Sequence, residues 1–221
     1  MPDAVILSGG GRYADPWHPF AETSALLAAI VREAGFTVEV DDDPDAALAA
    51  LGDDVRLVVV NAGDPGDGPV PSQAAAAASA LDRALDRGIG LLAMHAAAAS
   101  LRAYPAYERL LGGRWVRDVS WHPPFGEARV HLVGGHAVAE GLADFTVLDE
   151  RYTDLRRLGG IEPIAEHVEG GMRHPLVWAR EVGRSRLVYD ALGHDARSYD
   201  SAAHRELIAG ALRWLAAVDA P

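Results

Sequence analysis

The sequence predicts an α/β fold, a mostly parallel sheet with helices on both faces. Short β-branched runs alternate with longer Ala- and Leu-rich segments, the pattern of parallel strands joined by crossover helices. Residues 91–94, and residues 55–60 but for Arg56, are apolar, as strands covered on both faces are. A chain of 221 residues, 49% of them hydrophobic, has ample material for one core, so residues 1–221 are expected to form a single domain.

Taken in order, residues 4–7 read as the first strand. Residues 20–34 place apolar side chains at helical spacing and stop at Gly35, and residues 37–40 form the second strand. Pro44 opens a short helix, residues 55–60 are the third strand, and residues 61–71 are a Gly/Pro/Asp loop. Ser72 is placed to cap a helix that runs to Arg87 and is closed by Gly88 and Gly90. Residues 91–94 follow as a buried strand that delivers His95 at its carboxyl end. Further on come a helix at 104–111, a Gly/Trp/Pro loop at 112–126 and strands at 127–132, 146–148, 176–179 and 186–189. A closing amphipathic helix at 202–218 turns Leu207, Ile208, Leu212 and Leu215 inward.

Composition removes several functions. Asp plus Glu outnumber Lys plus Arg by 32 to 20, and a net charge of -12 repels phosphate backbones and anionic lipid, so neither nucleic acid nor a membrane is an expected partner. The absence of cysteine excludes disulfides, Cys-ligated zinc and thiol catalysis. Residues 1–10 lack a basic n-region and no stretch approaches a membrane span, so a cytoplasmic protein is expected, with a homodimer as the default assembly.

In open parallel sheets ligands bind beyond the carboxyl ends of strands. The loop after the first strand, Gly9-Gly10-Gly11-Arg12-Tyr13-Ala14, matches a dinucleotide fingerprint in form, but Pro16 and Pro19 delay the next helix to about Phe20. No nucleotide is therefore expected, and the loop is read as presenting Arg12, Tyr13 and His18. His95 sits at a tight strand-to-helix junction, and His194, with Asp195 beside it, follows the last apolar strand; together they suit an acid and a base, or ligands of a shared metal. His122 is held in Trp121-His122-Pro123-Pro124. His136 follows Gly134-Gly135, where capping is as good a reading as a site role. Glu150 and Tyr152 alternate along an extended segment and so face one side, a carboxylate and a phenol suited to a polyhydroxylated ligand. His174 leads into a strand, while His131, His167 and His204 read as ordinary surface or strand positions. No ligand motif of closely spaced histidines occurs, so a divalent cation would have to be assembled from separate loops and is left open. Gly-x-Ser-x-Gly is absent, which argues against a serine hydrolase elbow.

Together Gly9-Gly10-Gly11-Arg12-Tyr13 with His18, the segment around His95, His136 with Gly141-Leu142, Asp149-Glu150 with Tyr152, and Leu192-Gly193-His194-Asp195 with Tyr199 resemble the ThuA-like (trehalose utilisation) family. The resemblance implies a flavodoxin-like three-layer sandwich akin to class I glutamine amidotransferases. Their nucleophilic cysteine would stand where this chain has His95, and their catalytic histidine near His194. The chain departs from the ThuA-like family in having His136-Ala137 where His-Pro is common. The implied role is sugar metabolism: an enzyme acting on a disaccharide or keto-disaccharide, with His95, His194 and Glu150 catalytic and Arg12, Tyr13, His18, His122, His136, Tyr152 and Asp195 holding substrate. Glutamine hydrolysis through a thioester is not available without a thiol. Two other readings stay open, a non-catalytic sugar-binding or regulatory module and a metal-dependent hydrolase of another small substrate.

Overall fold

The computed structural model describes residues 2–217. In chain order its strands are β1 (Ala4–Ser8), β2 (Val38–Asp41), β3 (Leu57–Asn61), β4 (Gly90–Met94), β5 (Gly113–Arg114), β6 (Gly126–Leu132), β7 (Phe145–Asp149), β8 (Arg156–Arg157), β9 (Glu162–Glu169), β10 (Met172–Val182) and β11 (Ser185–Asp190). The α-helices are α1 (Phe20–Glu33), α2 (Pro44–Ala49), α3 (Ala74–Arg87), α4 (Pro105–Leu111) and α5 (Ala202–Ala216). Nine strands make one sheet in the order β2-β1-β3-β4-β11-β10-β9-β6-β7. The first five of these run parallel, with β1, β3 and β4 buried at every position. Helices α1 and α5 pack together, as do α2, α3 and α4, completing the expected layered α/β architecture with a flavodoxin-like parallel half. Among the described residues no helix is long and apolar enough to cross a membrane.

From β11 onward each successive pair is antiparallel. This wing is where the sequence reading is thinnest. Strand β9 is absent from it and β10 is predicted only at its centre, residues 176–179. An antiparallel strand with one wet face interleaves charge with apolar residues: β9 carries Glu162, Glu166 and Glu169 among Ile164, Ala165 and Val168, so no apolar run announces it. The two-residue strands β5 and β8 are too short to leave a pattern. Ser72 does not cap α3. Gln73 holds the N-cap position without a side-chain cap bond, and the Ser72 hydroxyl bonds Gln73 Oε1 at 3.3 Å. Val218, expected as the last residue of the closing helix, lies outside the described residues.

One consequence of the parallel half is that β1, β3, β4 and β11 all end at the same edge of the sheet. The loops leaving that edge are tied down by buried polar groups. Asn61 Nδ2, at the end of β3, donates to Thr23 Oγ1 and Ser24 Oγ of α1, both at 2.9 Å, and Ser24 donates to Ser8 Oγ at 2.8 Å. Satisfied buried hydrogen bonds of this kind fix register more than they add stability. They hold the start of the loop that carries His18.

Candidate functional site

His95 follows β4 directly and is 1% exposed. Its backbone is left-handed, with φ at +42°, a conformation that costs a non-glycine residue roughly 1–3 kcal/mol. Two contacts hold it there. Tyr189 Oη donates to the His95 carbonyl at 3.0 Å, and His95 Nδ1 lies 2.7 Å from the Ala191 carbonyl. A carbonyl only accepts, so Nδ1 carries the hydrogen and a neutral ring turns the lone pair of Nε2 outward.

Three more groups converge on that nitrogen. Glu150, just past β7, places Oε2 at 3.4 Å from His95 Nε2 and 3.3 Å from His194 Nδ1. His194, on the loop after β11, brings Nδ1 to 3.4 Å from His95 Nε2. His18 stacks edge-on against both rings, with centroids 5.0 Å from His95 and 4.9 Å from His194. Asp15 orients it: its carboxylate receives His18 Nδ1–H at 2.8 Å and the backbone N–H groups of Trp17 and His18 at 2.9 Å. His18 Nε2 is buried without a hydrogen-bond partner.

The electrostatics follow from this crowding. Burial alone would push Glu150 up, but the hydrogen bond and charge of His194, joined by those of His95 when that ring is protonated, outweigh it and hold the carboxyl far below its usual range. Burial disfavours a charged His194, yet Glu150 and the nearby Asp149 charge reverse the balance and raise it. For His18 burial wins over the Asp15 contact, and its ring is lowered towards the neutral form.

His18, Glu150 and His194 line a cleft of about 600 Å³, within the range of small-molecule sites, and His95 lies buried behind them. Tyr152 packs on His95 with centroids at 4.3 Å and on Trp115 at 4.5 Å, and its burial raises the phenol well above its usual value. His122 borders the cleft with Nδ1 at 3.5 Å from Glu150 Oε1, and Trp17, 71% exposed, stands at the rim.

Four residues expected at the cleft are engaged elsewhere. Tyr13 is buried and donates to Asp45 Oδ1 at 2.8 Å, so it anchors the loop to α2. Arg12 is tied to the same carboxylate at 3.5 Å and to the Pro69 carbonyl at 3.0 Å. His136 does what its turn position allows: Nδ1 accepts from Val138 N–H at 3.1 Å and the ring packs on Trp214, 5.0 Å away. Asp195 spends its carboxylate on the Arg197 guanidinium and backbone N–H. His18, His95, His122, Glu150, Tyr152 and His194 are the predicted residues that meet.

Behind the site lies a buried network the sequence reading missed. Asp149 accepts from the backbone N–H of Glu150 at 2.8 Å, Gly193 at 2.7 Å and His194 at 3.2 Å, and from the Ser198 hydroxyl. Gly193 has φ at +110°, and a Cβ there would lie 2.9 Å from Tyr199 Oη, so this turn requires glycine. His204, expected as an ordinary surface or strand position, is instead fully buried on helix α5, with Nε2 at 3.0 Å from Asp190 Oδ2 and Nδ1 at 3.1 Å from the Ser198 carbonyl. Both ring nitrogens face acceptors, so the ring is doubly protonated.

Burial opposes that charge, but Asp190 outweighs burial and raises His204 above its unfolded value of about 6.5. Its contribution to stability is thus complete below about pH 6.5 and lost as pH rises through the raised folded value. Denaturation of wild type and His204→Gln across pH should give a stability difference that shrinks with increasing pH over that window. A pH-independent difference would refute the charged ring.

The geometry defines an α/β protein of flavodoxin-like class whose strand-end loops converge on a histidine and carboxylate centre. The chain belongs to the ThuA family: the family profile, described as trehalose utilisation, matches residues 7–215. Solved structures share the fold. A ThuA-like protein from Parabacteroides merdae is 17% identical with a TM-score of 0.77, covering 97% of this chain and 89% of that one. Another, from Bacteroides uniformis, is 18% identical with a TM-score of 0.74, over 96% and 90% of the two chains. A β-galactosidase from the haloarchaeon Halorubrum lacusprofundi is 17% identical with a TM-score of 0.59, over 98% of this chain and 30% of that enzyme. No curated protein is significantly similar in sequence.

Proposed function

We propose that the chain is an enzyme of carbohydrate metabolism acting on a disaccharide or keto-disaccharide, with the His95, His194 and Glu150 centre as its reacting groups. The observation that carries this reading is the convergence of those groups, their donor atoms 3.3–3.4 Å apart, at a cleft walled by Trp115 and Tyr152. Membership of a family described as trehalose utilisation supports the substrate class. The aromatic walls suit the apolar faces of sugar rings, and His122 and Glu150 supply partners for hydroxyls. The lone pair of His95 Nε2 suits removal of a proton beside a keto group, and His194 is placed to return one to the substrate oxygen; a positioned acid or base contributes roughly 10²- to 10⁴-fold. Glutamine amidotransfer is excluded by chemistry, because a chain without cysteine has no thiol for the acyl intermediate.

The test is a panel of disaccharides and their keto derivatives incubated with purified protein, products followed by mass spectrometry. Turnover of at least one member is expected, with His95→Ala and His194→Ala inactive. Tight binding without any product, unaffected by those two substitutions, would replace the enzyme with a sugar-binding module.

A further inference from the structure

We propose that His18, His95, Glu150 and His194 form a binding site for one divalent transition-metal cation of the zinc class. The proposal rests on the reading of the cleft as the working site. One donor atom from each residue lies within 4.8 Å of every other. Three of the separations are tighter: His95 Nε2 to Glu150 Oε2 at 3.4 Å, His194 Nδ1 to Glu150 Oε2 at 3.3 Å and His194 Nδ1 to His95 Nε2 at 3.4 Å. A tetrahedral cation with bonds of about 2.0–2.1 Å has ligand-to-ligand edges of about 3.3–3.4 Å, so these three atoms already stand at coordination spacing.

Hydrogen counting strengthens the case. His18 gives its Nδ1 hydrogen to Asp15 and His95 gives its own to the Ala191 carbonyl, so neutral rings direct two Nε2 lone pairs inward. Glu150 adds only lone pairs. Of the four converging atoms, His194 Nδ1 alone is left to bring a hydrogen, and one hydrogen cannot serve three acceptors. His18 Nε2 is the atom left over, buried with no partner. A single cation accepts all four lone pairs at once. The outward contacts are those that metal-bound histidines use, a carboxylate or a backbone carbonyl on the far ring nitrogen, which sets the tautomer and raises the ligand's basicity.

The donor set selects the ion. Three imidazoles and one carboxylate suit zinc, cobalt, iron or manganese, whereas calcium and magnesium demand mostly oxygen. Glu150 in contact, with Asp15 and Asp149 behind, supplies negative charge to offset the ion. A bound cation would take the lone pairs of His95 and His194, which would then be ligands in place of the base and acid; the ion would supply polarisation of a substrate carbonyl, and His122 would be the cleft imidazole left to move a proton.

The test reads binding, not turnover. Protein stripped with chelator and desalted is titrated with zinc by calorimetry, and with cobalt(II) while visible absorption is recorded. One cation per chain and the intense d–d bands of a tetrahedral nitrogen-rich site are expected. His18→Ala and His95→Ala should weaken zinc binding by about 100-fold or more, and Asp15→Asn by roughly 10- to 100-fold, while His131→Ala, on the distant β6, should leave it unchanged. Wild-type protein that takes up no zinc or cobalt, or binding that all three site variants retain while still folded, overturns the site. Protein that takes up no cation yet turns over the sugar panel removes the cation and keeps the enzyme. A bound cation with no turnover keeps the cation and removes the enzyme.

Discussion

Glu150→Gln should leave a folded protein whose turnover of its sugar substrate is reduced roughly 10²- to 10⁴-fold. The substitution keeps the side chain's size and removes its charge. That charge faces three imidazoles, His95 and His194 through Oε2 at 3.4 and 3.3 Å and His122 through Oε1 at 3.5 Å. If the centre moves protons, the cation forming on His194 loses its counter-ion; if it holds a metal, the site loses its only anionic ligand. Either way an interaction needed when charge develops has gone, so kcat should carry the loss more than KM. Initial rates on the sugar panel and a denaturation curve run together decide it. A variant with unchanged kcat and unchanged stability would move the reacting group away from Glu150.

The parallel half of the fold was legible because burial on both faces forces continuous apolar runs, and β1, β3 and β4 are such runs within a residue or two of their predicted limits. His95 was legible for the same reason, since a polar residue that abruptly ends an apolar strand stands out at the edge where ligands bind. The antiparallel wing was not legible, because a half-wet strand such as β9 spreads its apolar positions among glutamates. At the site, sequence could nominate His18 and His122 but could not separate them from Tyr13 and Arg12, which share a loop with His18 and yet bond to Asp45. Loop direction depends on what the loop packs against, and Asp45 lies on a different element. Asp15 left one readable trace, an i, i+3 spacing to His18. His204 left none, for its partner Asp190 is fourteen residues away and a helix registers only that one of its faces is buried.

Asp149→Ala is expected to be the most destabilising change near the site, at about 3–5 kcal/mol, the range for removing one member of a buried charged network. Asp149 is 1% exposed and its two oxygens accept four hydrogens, three of them from backbone N–H groups that lose their partner when the carboxylate is removed. For a chain of this length that loss lowers Tm by roughly 6–20 °C. Asp149→Asn should cost less, because one amide oxygen still accepts while the NH₂ is left facing donors it cannot satisfy. The same bonds set the backbone of Glu150 on one side and of Gly193 and His194 on the other, so Asp149 is a positioning residue that holds two halves of the centre at their 3.3 Å separation. Stability and function should therefore fail together in Asp149→Asn: at a temperature where the variant is fully folded by circular dichroism, kcat should still fall at least tenfold with KM little changed. A folded Asp149→Asn protein with wild-type kcat would show that the network supports the fold alone, and that the centre is aligned from the His95 side by Ala191 and Tyr189.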